Sequence, residues 1–202
     1  MRKRKVLLLS VFTNAVPVTP EHVALFKRYP PRDIEVTVYG ITAATYERVT
    51  QRPGSFAGFM RGLNLLLDAG VKVRLKAMAM RSNVRELAAI AEFCRARTKD
   101  YFRFDPQLHL RFDRDPERNA MIRSERLSPA DIVALERGDD QRFDAMKSGC
   151  DTFIFHDAPD DVCKHLFHCG AGKGNFTIGS DGRFRLCSSL WHPDTIYDLR
   201  RG

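Results

Sequence analysis

Four of the five cysteines in this 202-residue chain lie between Cys150 and Cys187, separated by twelve, five and seventeen residues. Thiolates at such spacings are soft ligands, suited to zinc or to an iron–sulfur cluster. His165 and His168, inside the run CKHLFHC, add nitrogen donors. A structural zinc site built on Cys150, Cys163, Cys169 and Cys187, or on a histidine in place of one, is therefore one reading, and a cluster is another. The close CxxC pairs of an ordinary zinc finger are absent. Unligated buried thiols are the third reading, and they describe Cys94 best, because it falls on the apolar face of a helical pattern. An odd number of cysteines leaves at least one outside any disulfide, which fits a reducing, cytoplasmic setting.

The groups that could hold these ligands in place belong to a soluble globular chain, 44% hydrophobic and 29% charged. Its net charge of +8 comes from 33 basic against 25 acidic side chains. Arginines and acids are interleaved, as in DRDPERNAMIRSER, so a nucleic-acid partner is not expected, although a basic nucleic-acid-binding protein is the alternative that charge alone supports. No apolar run approaches the ~20 residues of a membrane crossing. The opening MRKRKVLLLSVFTNAVPVTP reads as a buried strand entering a loop, since Pro17 and Pro20 crowd the place of a leader cleavage site.

Short apolar runs alternate with helical-period segments. Val6 to Phe12, the run DIEVTVYG, the run VKVRLKAMAM and Tyr101 to Asp105 are expected strands. Between them, Thr19-Pro20-Glu21 starts a helix, Ser55 to Ala69 carries apolar residues at helical spacing up to Gly70, and Asn83 with Glu86 predicts a capped helix start. Strands alternating with helices imply βαβ units and a parallel sheet, with functional groups at the carboxyl ends of the strands. Beyond Pro106 a long polar loop is expected to lead to a helix opened by Ser128-Pro129, and NFTIGSDGRFRLC to form a β-hairpin turning through GSDG. A domain boundary is expected between about Glu136 and Cys150.

CGAGKGNFTIGSDGRFRLC, with Cys169, twelve residues, Gly182, four residues and Cys187, resembles the opening signature of a SPASM domain, the auxiliary-cluster module of radical S-adenosylmethionine enzymes. Cys163 resembles the extra ligand found upstream of that signature. VFTNA, DIEVTVYG and VRLKAMAMRSNVREL are similar to the third, fourth and fifth strand regions of the family's partial barrel, and TYERVTQRPGSFAGFMRGL to the segment after the fourth strand in peptide-modifying members. The resemblance implies an α/β fold, residues 1–140 forming the later part of a (βα)6 barrel and residues 150–202 the first part of a SPASM-like domain. The family's CxxxCxxC is absent, and so are the later SPASM cysteines. The sequence thus reads as an internal piece of a longer enzyme, and this chain alone is not expected to cleave S-adenosylmethionine.

On this resemblance Cys163, Cys169 and Cys187 are three ligands of an auxiliary four-iron four-sulfur cluster. The complete enzyme uses S-adenosylmethionine on a peptide or small-molecule substrate in peptide or cofactor maturation. Strand-end placement makes Asn14, Thr37, Arg52, Lys76 and Asn83 the candidate contacts for S-adenosylmethionine, Arg52 through a fork to its carboxylate. Asp105 and His109 are the candidate substrate-side groups.

Overall fold

The computed structural model describes residues 8–99, 102–111, 115–153, 176–179, 181–187, 190 and 192–201. They fall into two units, Met1–His109 with Met121–Ser148, and Leu110–Ala120 with Gly149–Gly202.

In the first unit, β1 (Ser10–Thr13), β2 (Asp33–Val38), β3 (Val73–Met78) and β4 (Arg103–Asp105) form one parallel sheet in chain order. The expected alternation of strand and helix is present: α1 (Pro20–Arg28), α2 (Ala43–Thr50), α3 (Ser55–Asp68) and α4 (Leu87–Arg95) lie in the crossovers. Period-two side chains divide the sheet into two faces. One face carries Ile34, Val36, Val38, Leu75, Ala77 and Phe104, all buried against Phe59, Leu63 and Leu66 of α3 and Leu87, Ile90 and Cys94 of α4. Cys94 is thus core, and burial pushes its thiol up to about 12.

The opposite face is polar. The register aligns Glu35 with Arg74, Thr37 with Lys76, and Lys76 with Arg103. Lys76 Nζ lies 3.0 Å from Glu35 and 2.7 Å from Asp105, while Arg103 reaches Glu35 at 2.6 Å. This ladder lets Glu35 sit at only 6% exposure in the middle of an apolar strand, and Asp33, at the start of β2 and equally buried, pairs with Arg32 at 3.1 Å and Arg74 at 3.9 Å.

Helix α3 is amphipathic, and it approaches the turn after β1 at Gly62, where an added Cβ would lie 1.9 Å from the Ala15 carbonyl oxygen. Gly70, at φ 66°, ends the α3 segment as its sequence predicts. Three sequence expectations are corrected. Helix α5 (Pro116–Glu125) occupies the expected polar loop; its sequence carries no apolar stripe, but Asp115 caps it by accepting from the Arg118 N–H at 3.0 Å. After α6 (Pro129–Arg137), which Ser128 caps as expected, comes α7 (Asp140–Phe153), within which the two units divide between Ser148 and Gly149. Asn83 does not cap a helix with its side chain, and a 3-10 turn (Val84–Glu86) precedes α4. The segment TAATYERVT, read only as a short connection, is helical in α2.

In the second unit, β5 (Thr177–Ile178) and β6 (Arg183–Arg185) form the expected antiparallel hairpin, and β7 (Ile196–Asp198) adds a third strand. Gly182, at φ 74°, donates to the Gly179 carbonyl at 3.0 Å and supplies the turn that Asp-Gly announces. Phe184 stacks on Phe176 at 5.1 Å and meets Tyr197 edge-on at 6.0 Å.

Candidate functional site

The carboxyl ends of the four parallel strands surround a cleft of about 600 Å3 in the first unit. Asn14 enters it from the turn after β1, Tyr39 from beyond β2, Met78 and Met80 from β3 and its end, and His109 from beyond β4. Thr50 of α2 completes the polar edge. The volume suits a small organic ligand, and the mixture of apolar walls with a few polar groups is that of a binding site. Tyr39 and the two methionines can pack against a planar ring or a sulfur-bearing chain.

Asn14 is held by its neighbours. Its Oδ1 accepts from the Val16 N–H at 3.2 Å, and its carbonyl accepts from the Tyr46 hydroxyl at 3.4 Å. That use of Oδ1 leaves the amide NH2 to face a ligand. Tyr46 itself is fully buried, stacked on Phe59 at 4.8 Å, and burial raises its hydroxyl well above the ordinary tyrosine value. His109, also in the cleft lining, is exposed.

The other sequence-derived candidates separate into distinct places. Thr37, Lys76 and Asp105 lie on the polar face of the sheet rather than around the cleft. Burial alone would lower the Lys76 ammonium, but its hydrogen bonds to Asp105 and Glu35 and their charges raise it above the ordinary lysine value. The stabilisation from that pairing stands in full below the ordinary lysine range and is lost only as pH climbs through the raised value. Arg52 is exposed in the connection between α2 and α3, where its carbonyl accepts from Ser55 N–H at 3.2 Å. Asn83 is 1% exposed and its amide is spent on the backbone: Nδ2 donates to the Tyr39 and Met78 carbonyls at 2.9 and 2.8 Å, and Oδ1 accepts from the Met80 N–H at 2.9 Å. It fastens the ends of β2 and β3 that form the cleft wall.

Of the proposed metal ligands, Cys187 is half-buried two residues after β6, and Cys163 and Cys169 lie outside the described residues. Cys150 is exposed in α7. No three His, Cys, Asp or Glu side chains converge on a metal position among the described residues.

Sequence reasoning missed Glu86 as a bracket at this end of the sheet. Its carboxylate accepts from the Ile41 N–H at 3.0 Å, from the Thr42 hydroxyl at 2.8 Å and from the Thr45 hydroxyl, tying the start of α2 to the start of α4. Burial would raise its pKa, but the three hydrogen bonds outweigh burial and lower it. Its contribution is therefore present above the unfolded value of roughly 4.5 and lost as pH falls through the lowered folded value. Glu86→Gln is expected to cost about 1–2 kcal/mol at pH 7. In urea titrations the gap from the parent should narrow towards pH 3; a gap independent of pH would show that ionisation plays no part.

No family model matches the sequence. An 81-residue stretch, 40% of the chain, is 28% identical to the AdoMet-dependent heme synthase of Nitratidesulfovibrio vulgaris, of whose length it spans 22%. Two solved structures of anSMEcpe superpose on 95% of the chain at 12% identity, with TM-scores of 0.57 for native anSMEcpe with bound AdoMet and 0.55 for the form that also holds the Kp18Cys peptide. The chain shares the fold of the anSMEcpe structures. It spans 55% of those two chains, so the likeness extends over nearly all of this chain and about half of theirs. In that fold the cleft occupies the place where parallel α/β sheets bind ligands, at the carboxyl ends of the strands.

Proposed function

We propose that the chain is part of a radical S-adenosylmethionine enzyme of the peptide- or cofactor-maturation kind, and that the strand-end cleft binds S-adenosylmethionine. The observation that carries this reading is the convergence of Asn14, Tyr39, Met78, Met80 and His109 from four successive strand ends on one cleft. The cleft fits the group: it has the volume, an aromatic and two thioether walls for the adenine ring, and amide and imidazole donors for the polar end. Bound S-adenosylmethionine supplies radical chemistry once an iron–sulfur cluster reduces it. The chain's residues orient it: Asn14 offers its amide NH2, Asn83 keeps the Tyr39 and Met78 walls in register, and Lys76 pairs with the Asp105 carboxylate at the end of β4.

The second unit is proposed as the opening section of a SPASM-like domain, with Cys163, Cys169 and Cys187 as ligands of an auxiliary four-iron four-sulfur cluster. Support comes from the hairpin, which sets Cys187 half-buried just beyond β6. A peptide substrate is part of the same proposal, supported by the Kp18Cys peptide held by a protein of the same fold, and so is a cytoplasmic setting.

Calorimetry with S-adenosylmethionine tests the cleft. Binding by the parent, weakened about tenfold in Asn14→Ala, is expected; no binding, or equal binding by Asn14→Ala, overturns the reading. Because the 202 residues contain no CxxxCxxC, the chain reconstituted with iron and sulfide and then reduced is expected to form no 5′-deoxyadenosine. Reconstituted protein should be brown and lose that colour in Cys187→Ser, whereas a colourless protein that retains zinc would favour the structural-zinc reading.

A further inference from the structure

The turn that presents Asn14 has an unusual backbone. Ala15 sits at φ 61°, a left-handed conformation that side chains other than glycine rarely adopt, and it is completely buried. The turn is closed on every side. The Ala15 N–H donates to Thr13 Oγ1 at 3.0 Å, and the Val16 N–H to Asn14 Oδ1 at 3.2 Å. The Val18 N–H donates to the Ala15 carbonyl at 3.0 Å. Helix α2 reaches the Asn14 carbonyl through the Tyr46 hydroxyl, and α3 reaches the Val16 carbonyl through Arg61 at 3.2 Å. Gly62 lets the backbone of α3 lie directly against the Ala15 carbonyl. Strain of this kind persists only where the surroundings over-determine the conformation, and it concentrates at ligand sites.

We propose that Ala15 is a positioning residue for the cleft: its strained, clamped backbone fixes the Asn14 amide towards the ligand. The inference rests on the reading of the cleft given above. A glycine at this position would reach the same φ without strain and would also reach many others. The Cβ of Ala15, completely buried, removes most of those alternatives, the carbonyl packed against Gly62 of α3 confines the turn further, and Asn14, its immediate neighbour, inherits that confinement. Ordering is then complete before the ligand arrives, so binding does not have to supply it.

Ala15→Gly separates positioning from simple structural support. The thermal midpoint is expected to stay within a few degrees of the parent, since relief of strain and loss of one buried methyl oppose each other. S-adenosylmethionine affinity is expected to fall about fivefold to tenfold, and amide exchange at Val16 and Val18 to accelerate about tenfold or more. Parent-like affinity in Ala15→Gly, or parent-like exchange, overturns the proposal. Tyr46→Phe, which removes only the hydroxyl contact to the Asn14 carbonyl, gives a second reading should Ala15→Gly fold poorly: two- to threefold weaker binding at an unchanged midpoint is expected, and unchanged binding counts against the proposal. If the parent binds no S-adenosylmethionine, the reading of the cleft fails by that result alone, and the exchange measurement decides the turn: faster exchange supports the clamp and unchanged exchange overturns it.

Discussion

Gly62→Ala is expected to lower the unfolding free energy by about 3 kcal/mol or more, despite placing a better helix former in mid-helix. The new Cβ would lie 1.9 Å from the Ala15 oxygen and 2.9 Å from its carbonyl carbon, both backbone atoms of a turn that cannot retreat. Either α3 lifts away from the sheet, loosening Phe59, Leu63 and Leu66, or the turn after β1 is displaced together with Asn14. The helix-propensity gain of alanine over glycine, about 1 kcal/mol, does not offset that. Gly58→Ala, one turn earlier, is the matched control. Its Cβ would meet a Val16 side-chain methyl at 3.1 Å, which can rotate, so a change within about 1 kcal/mol of the parent is expected. Urea midpoints for the two variants check the pair, and equal stabilities would refute the close approach at Gly62.

Asn83→Ala is expected to cost about 3 kcal/mol. The substitution strips a donor from the Tyr39 and Met78 carbonyls and an acceptor from the Met80 N–H, in a place that is 1% exposed. Leaving a buried polar group unpaired costs about 1–3 kcal/mol, and partial water entry reduces the sum of three. Asn83→Asp should be worse, because a carboxylate would face two carbonyl oxygens where the amide donated. Chemical denaturation at neutral pH checks the order parent, Ala, Asp; an Asp variant as stable as the parent would show that Asn83 does not bridge these strands.

Legibility in the sequence followed the kind of signal each element carries. Strands β2 to β4 and helices α3 and α4 were readable because their apolar residues repeat at two or at 3.6 positions against a buried partner, whereas α1, which buries no residue, was readable from its Thr19-Pro20-Glu21 start. Helices α5 and α7 were not, since PERNAMIRSE and DQRFDAMKSGCDTF present no apolar stripe and their stability rests on caps and ion pairs. Asn14 and His109, chosen from strand-end position alone, both line the cleft. Asn83 stood at the right place in the sequence, but its role depends on carbonyls 44 and 5 residues away that no local pattern announces. Glu35 was overlooked inside DIEVTV, although Asp33, Glu35 and Thr37 alternate with valine and isoleucine, and Arg74 and Lys76 alternate likewise in the next strand. The two alternations read together imply the charged face.

That face also restricts how the chain can assemble. Sliding β3 by one residue along β2 would turn Arg74 and Lys76 into the layer now filled by Val73, Leu75 and Ala77, and would take Lys76 away from Glu35 and Arg74 away from Asp33. The misaligned sheet would bury unpaired charge, which costs far more than the lost apolar contacts. Whatever net stability the ladder adds, its larger effect is on the competing states: it makes every neighbouring alignment of the sheet prohibitive, so the strand ends that shape the cleft can meet in one way only.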